Sequence, residues 1–445
     1  MNENNLLLDV CDRPPLSIWI MLSLQHVFAM FGATVLVPRL VNDGIGMPVF
    51  SVAVAIFSSG LGTLTYIVCT KARSPVYLGS SFAFIAPMIL AYNTGGIGGV
   101  MAGTLLVGLI YVACSIAIRF AGNEWIRKLL PDEVVGPMIV IIGLGLAGSA
   151  ISQMGMSTGA SPDLKGLVAG FITLLSIIIL SLKAPGFLKL IPILGGIVIG
   201  YVAAMALGMV DFQTIAAAKW ITPPEFIIPF RDYHFDFKVG LTMAAVALVT
   251  MSEHIGDHTT VGNITGRDLL SNPGLFRTLL GDGAATGLAA VIGGPANTSY
   301  GENASVLGMT KVASVWVTGG AAVIAMLLSF CGKLTAIIDA IPAPVLGGAS
   351  VMMYGFIAAS GLRLMIKNQV DFGNMRTVAI AATMLVFGLG QAEWHIPIVD
   401  ITFSGMSLAA IFGVLLNQFL PQEILITSET PWVQKMRQKM ERQEH

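Results

Sequence analysis

Apolar runs close to twenty residues long recur along the whole chain, and this pattern decides most of what it can fold into. They fall near residues 17–38, 48–70, 76–92, 97–118, 132–153, 164–182, 187–208, 237–258, 273–293, 295–310, 312–332, 341–361, 375–391 and 400–420. A helix of about twenty apolar residues crosses the ~30 Å hydrocarbon layer of a bilayer. A chain of 445 residues built this way could not hide its apolar surface in one aqueous core. Charged residues are 11% of the chain and hydrophobic ones 55%, whereas ordinary soluble domains are roughly 25% charged. The 50 glycines and 21 prolines suit close helix packing and interrupted membrane segments. The expected fold class is an all-α polytopic membrane protein of about 14 transmembrane segments.

Positive charge tests that count. With both termini on the cytoplasmic side, Arg39, Lys165, Lys219, Arg231, Lys238 and Lys333 lie outside, and the other eighteen of the 24 basic residues lie inside. Cytoplasmic loops carry the excess of Lys and Arg, and a count of the wrong parity would scramble the later loops. The expected location is the cell (inner) membrane, with lipid as the surrounding partner. A net charge of −1 leaves no basic footprint for nucleic acid. Cys11, Cys69, Cys114 and Cys331 are scattered, with neither metal-ligand spacing nor a paired framework. The first seventeen residues lack a basic region, an apolar stretch and a cleavage site, so the first span is expected to direct insertion. The tail from Thr430 to Met440 carries Lys435, Arg437 and Lys439. It is expected to lie on the inner membrane surface, with a disordered tail as the alternative.

The two halves of the chain echo each other. Pro131-Asp-Glu-Val134-Val-Gly136 begins one apolar span and Pro342-Ala-Pro-Val345-Leu-Gly347 begins another. Likewise Gln25-His26 sits inside the first span and Glu253-His254 inside the eighth. Seven spans per half is an odd number, so a duplicated unit sits inverted in the membrane. Inverted repeats place a substrate site near the midplane between them.

Two segments interrupt the apolar pattern at equivalent places, the third and the tenth. One is Pro75-Val-Tyr77-Leu-Gly79-Ser80-Ser81-Phe82-Ala-Phe84 and the other is Gly294-Pro295-Ala-Asn297-Thr298-Ser299-Tyr300-Gly301-Glu302-Asn303. Gly, Ser, Thr and Asn at this density disfavour continuous helix, and the interspersed aromatic residues favour an extended stretch. Extended backbone survives at membrane depth only where protein or a polar cavity satisfies its N–H and C=O groups. Each break is followed by sequence able to form a half-helix, whose first amides would point back at it. Reading the two segments as surface loops instead breaks the span parity.

Ionisable side chains inside spans carry the chemistry. Glu253, His254 and Asp257 stand together in the eighth span, Asp282 in the ninth and Glu302 in the tenth. Positions 253 and 257 are i and i+4, so on a helix both acids share one face. A carboxylate in a bilayer costs several kcal/mol and usually marks a substrate or proton pathway. A low-dielectric site also suits a carboxyl group that takes up and releases a proton. Structural readings stand beside these. Asp257 and His258 lie near the expected cytoplasmic end, where a solvated helix terminus would explain them. Asp282 is expected to hydrogen-bond broken backbone rather than touch substrate. His26 and His254 read equally as core histidines, and Glu253 and Glu302 as interhelical hydrogen bonds. No nucleophile–base pair, metal-ligand cluster or nucleotide-binding loop is visible. An enzyme is therefore not expected, nor a cofactor or metal, and the proton is the expected coupling ion. A passive channel would do without titratable groups at the site.

The passages Ser23-Leu-Gln25-His26-Val-Phe-Ala-Met-Phe-Gly-Ala33-Thr-Val-Leu-Val-Pro38, Tyr77-Leu-Gly-Ser-Ser81-Phe82-Ala-Phe-Ile, Ser252-Glu253-His254-Ile-Gly256 and Asn297-Thr-Ser-Tyr300-Gly301-Glu302-Asn303 resemble the nucleobase–ascorbate transporter family. The resemblance runs from Arg13 to about Leu420. It implies two inverted repeats of seven segments, with short extended strands in segments 3 and 10. It implies a cytoplasmic N-terminus over residues 1–16 and a core domain over 17–118 and 237–332. A gate domain would occupy 119–208 and 333–420, with an extracytoplasmic loop at 209–236 and a cytoplasmic tail at 421–445. By the family pattern Glu253 and Glu302 would hold the base, and the amides of Phe82 and Gly301, with Ser81 beside them, would face its carbonyls. Tyr300 and Tyr354 would wall the site and Ala33 would line its floor. Proton coupling would involve Glu302, Glu253, Asp257 and His254, and members dimerise through the gate. The substrate implied is uracil. Its flat ring offers two N–H donors and two C=O acceptors, which suits carboxyls, amides and a stacking tyrosine. A uracil carrier of the family has a histidine where this chain has Asp257, and purine carriers often have Asp there. Purine carriers, however, usually lack the histidine that follows Glu253. Xanthine or another purine base is therefore the alternative substrate.

Overall fold

The computed structural model describes residues 6–156, 163–397 and 401–421; the expected surface tail at 430–440 lies outside them. The elements run α1 (Leu16–Ile45), α2 (Val52–Cys69), β1 (Leu78–Ser80), a 3₁₀ turn (Phe82–Phe84), α3 (Ile85–Ala121), α4 (Glu124–Leu129), α5 (Asp132–Leu144), α6 (Ala147–Gln153), α7 (Leu164–Lys183) and α8 (Pro192–Ala206). They continue with α9 (Phe212–Ala217), α10 (Phe237–Ala244), α11 (Val246–Thr265), α12 (Leu275–Ile292), β2 (Asn297–Ser299), α13 (Gly301–Thr310), α14 (Val315–Leu328), α15 (Gly332–Asp339), α16 (Ala343–Lys367), α17 (Met375–Leu389), β3 (Trp394–Ile396), β4 (Ile401–Phe403) and α18 (Gly405–Phe419).

These elements make fourteen crossings. The continuous stretch α3 holds two of them, because it turns sharply where Gly96 takes φ +63° and ψ −159°, a backbone region open to glycine alone. Helices α5 and α6 form one broken crossing, and α10 and α11, bent by 42°, form another. The two halves repeat the same order: two long crossings, a strand leading into a half-helix, a crossing, a short helix (α4 or α15) and three more crossings. Seven per half is odd, so the halves lie inverted.

The echoed motifs fall at matching points. Pro131 precedes α5 and Pro342 precedes α16, positions where a missing N–H costs nothing. The two helices pack on each other so closely that a Cβ on Gly136 would sit 2.1 Å from a carbon of Met365. Packing falls into two groups. Helices α1, α2, α3, α10, α12 and α14 pack among themselves, and so do α5, α7, α8, α16, α17 and α18, with sparser contacts between the sets. Large apolar side chains cover the outside: Leu164, Leu175, Ile179 and Leu182 on α7 and Val386 on α17 are each more than half exposed. Water would not tolerate such a surface; lipid does.

Helix ends differ most from the expected spans. The first helix passes Pro38 and stops at Gly46 with φ +83°, its N–H returning to the Asn42 carbonyl. The eighth crossing runs to Thr265 and stops at Gly266 with φ +67°. Asp257 and His258 are therefore inside a helix and not at a solvated terminus, and His258 is fully buried. Apolar content falls off at Thr259, Thr260 and Asn263, yet the backbone ladder continues until a left-handed glycine ends it.

Candidate functional site

The two breaks pair with each other. Strands β1 and β2 are antiparallel, with Leu78 opposite Ser299, Gly79 opposite Thr298 and Ser80 opposite Asn297. Flanking bonds from Ser81 N–H to the Ala296 carbonyl (2.9 Å) and from Tyr300 N–H to the Tyr77 carbonyl (3.0 Å) close the ladder. This satisfies backbone that would otherwise be orphaned at membrane depth. Phe82 and Gly301 are the first residues beyond it, one on each strand. Because the strands are antiparallel, the helices that follow leave in opposite directions, and both N-termini face the ladder. Each brings unpaired amides and the positive end of a helix dipole to the same place.

Side chains hold the ladder in position. Ser59 and Thr63 of α2 donate to the Leu78 carbonyl at 2.7 and 3.2 Å. Thr286 of α12 donates to the Asn297 carbonyl at 2.7 Å. The Asn297 amide donates to the Ser58 hydroxyl and carbonyl at 3.0 and 3.2 Å. The Tyr300 ring lies where Gly79 has no side chain, its carbons 2.4 Å from the point a Cβ would occupy. Its hydroxyl donates to the Ser80 carbonyl (2.9 Å) and lies 3.0 Å from that of Thr34.

Three acids gather beside this frame. Glu253 and Asp257 come from α11, Glu302 from the first turn of α13. All three are half-buried; Glu253 and Asp257 lie within electrostatic reach of each other, of Glu302 and of Asp282. Asp257 accepts from the Ser299 hydroxyl at 2.7 Å, which ties α11 to the second strand. A carboxylate in the first turn of α13 also faces the favourable end of that helix dipole. The aromatic contribution comes from the other helix group. Tyr354 of α16 meets Phe82 edge-to-face, ring centres 6.0 Å apart. Ala33, Ser81, Phe82, Tyr300 and Tyr354 are all buried, whereas Gly301 is exposed.

The histidines turn away from the acids. His254 is fully buried and its Nδ1 lies 2.8 Å from the carboxylate of fully buried Asp282. Asp282 therefore binds a side chain and not the broken backbone expected of it. His26 is buried too, with the Asn303 amide 3.1 Å from its Nδ1 and 3.1 Å from its carbonyl oxygen. Sequence alone does not single out Ser299, Asn303 and Thr34, since an isolated small polar residue carries no signal of its own. Among the described residues no cluster of His, Cys, Asp and Glu could hold a metal ion.

Two cavities flank this region at opposite ends of the bundle. One of about 430 Å³ is lined by Arg127, His258, Thr259, Asn263, Arg267 and Asp268, at the end where α11 finishes. The other, about 850 Å³, is lined by Arg39, Asp43, Glu225, Arg231, Asp232 and Asp339, among others, at the end where α1 finishes. There the two helix groups are tied. Arg39 donates to the carbonyls of Asp339 (2.9 Å) and Ile341 (3.3 Å), and Gln153 donates to Asp43 at 3.1 Å.

Known proteins place this architecture. The family model Xan_ur_permease, described as "Permease family", matches residues 17–396. "Uracil permease" of Bacillus caldolyticus is 48% identical over 420 residues, covering 94% of this chain and 95% of its own. "Uracil permease" of Escherichia coli (strain K12) is 38% identical, covering 94% and 97%. Among solved structures, the murine anion transporter Slc26a9 in an inward-facing state matches with TM-score 0.69 at 10% identity, over 94% of this chain and 72% of its own. The transmembrane domain of the cyanobacterial bicarbonate transporter BicA matches with TM-score 0.61 at 13% identity, over 88% and 97%. These two share the fold. The chain belongs to the permease family so matched, that of the nucleobase–ascorbate transporters, and is a multi-pass membrane transporter.

Proposed function

We propose that the chain is a secondary active transporter that imports uracil together with a proton. The observation that carries this reading is the meeting of Glu253, Asp257 and Glu302 with the starts of two opposed half-helices. The names of the relatives supply the substrate. Carboxyl oxygens accept from the two N–H groups of the base, and the amides of Phe82 and Gly301 donate to its carbonyls. Phe82, Tyr300 and Tyr354 supply the apolar walls.

A proton bound to Glu302 or Glu253 removes one of several neighbouring like charges, which favours tight binding of a neutral base. Residues 17–118 and 237–332 act as the core and residues 119–208 and 333–420 as the gate. The loaded core moves against the gate, and the Arg39–Asp339 and Gln153–Asp43 ties close the outer end while the base leaves through the cavity beside Thr259. The end of the bundle where α11 finishes faces the cytoplasm of the cell membrane, as the basic residues require.

The test is uptake of labelled uracil by cells lacking their own carriers, with unlabelled xanthine, thymine and 5-fluorouracil as competitors. Uracil and 5-fluorouracil are expected to compete, and a protonophore is expected to abolish accumulation. Stronger competition by xanthine would transfer the assignment to a purine base, the outcome that Asp257 would then explain. Uptake indifferent to the protonophore would replace the symporter with a channel.

A further inference from the structure

The face of α11 behind the acids holds a fully buried polar column that the transport cycle above does not use. His254 and His258 are i and i+4, one stripe round from Glu253 and Asp257. Their rings stack with centres 3.9 Å apart. Above, His254 Nδ1 is clamped to Asp282 of α12 at 2.8 Å. Below, His258 Nδ1 lies 2.7 Å from the His254 carbonyl, and its Nε2 lies 2.5 Å from the Tyr66 hydroxyl of α2. That hydroxyl lies 2.8 Å from Ser74, and the Tyr66 ring fills the space beside Gly281 of α12. Tyr66, Ser74, His254, His258 and Asp282 are all fully buried.

A carbonyl only accepts, so His258 Nδ1 carries the hydrogen; Nε2 and the Ser74 hydroxyl then compete for the single hydrogen of Tyr66, and a neutral ring takes it at Nε2. In the neutral ring both nitrogens are bonded. Around His258, the other titratable or charged groups are stacked His254, Tyr66, Asp282 bonded to His254, and Arg127, Arg267 and Asp268 along the adjoining cavity. Among the described residues no carboxylate hydrogen-bonds the His258 ring, and a charge there would be desolvated with no counter-charge. The column therefore holds geometry and not a proton. Clamped from α2 and α12, α11 is held against turning about its own axis, a turn that would swing Glu253 and Asp257 away from Glu302 and the paired strands.

The geometry points to Tyr66 and His258 as positioning residues, whose hydrogen bond fixes the rotation of α11 and so aims the site carboxyls at the transported base. This deepens the uracil–proton reading and rests on it for the uptake measurement. Three variants test it: Tyr66→Phe, His258→Phe and His258→Gln, the last able to give one donor and one acceptor in place of the ring. Uptake by Tyr66→Phe and His258→Phe is expected to need roughly tenfold more uracil for half-maximal rate. Their pH profiles should keep the wild-type shape, and His258→Gln should recover to within about threefold. Wild-type affinity in His258→Phe would overturn the inference, and so would a shifted pH profile in His258→Gln, which would make the ring a proton carrier.

A second measurement does not depend on the substrate. Thr259→Cys, in a chain with its four native cysteines changed to serine, reports the rotation of α11 through its rate of thiol labelling. That rate is expected to change several-fold when His258→Phe is added and to stay put with His258→Gln. Unchanged labelling in both would sink the inference. If wild-type cells took up no uracil, the transport reading alone would fail and the labelling would still decide this one.

Discussion

Leu78–Phe84 and Asn297–Asn303 occupy the same place in the two halves, and they part company at the point where a ligand would meet them. Both begin with a three-residue strand and both end in a helix whose amides face the ladder. After the first strand come Ser81, Phe82 and an apolar helix. After the second come Tyr300, Gly301, Glu302 and Asn303. One break thus offers amides and an aromatic edge, the other amides and an acid. The ladder is unequal as well. Gly79 leaves room for the Tyr300 ring, while its register partner Thr298 keeps a side chain. Duplication supplies a symmetric frame with two positive helix ends, and the residues placed on it make the chemistry one-sided.

The largest effect expected from that inequality falls on the acid. Glu302→Gln, and Glu253→Gln on α11, should lower uracil uptake roughly 10- to 100-fold, the range set by loss of a charge-assisted hydrogen bond. Ser81→Ala, on the acid-free side, should change uptake by less than about threefold. Equal effects at 81 and 302 would break the comparison. Next comes the frame. Gly79→Val drives two methyls into the Tyr300 ring, and overpacking of this kind typically costs about 1–3 kcal/mol. Thermal unfolding of the purified carrier should show it, with Thr298→Val distinctly milder; the reverse order would mean the ring does not depend on the missing side chain. The smallest effect belongs to Thr34→Val, which removes one of two hydroxyl contacts to Tyr300. A loss of about 1 kcal/mol is expected, and no measurable loss would show the Ser80 carbonyl to be sufficient.

Much of this was legible residue by residue. Hydropathy of a twenty-residue window is a local property, so the fourteen crossings, the inverted halves and both breaks could be read from composition and spacing. The acids stood out for the same reason, since each is conspicuous against its own apolar run. Helix ends are less legible. The eighth crossing reads as finishing at 258 because Thr259, Thr260 and Asn263 are polar; these are exposed, and the turns pack through Val261, Gly262 and Thr265 on the other side.

Partners were beyond the sequence altogether. The pair His254–Asp282 is separated by 28 positions, Ser299–Asp257 by 42 and Asn303–His26 by 277. Nothing in a one-dimensional pattern selects among such distant polar residues. By itself the sequence determined that the chain must live in a bilayer and where it must break, because water and lipid act on each segment separately. Tertiary structure alone decided that the two breaks hydrogen-bond to each other, and that one stripe of α11 meets Glu302 and the second strand while the next is locked into the core. Those outcomes depend on which helices lie side by side, and that is settled by packing over the whole molecule.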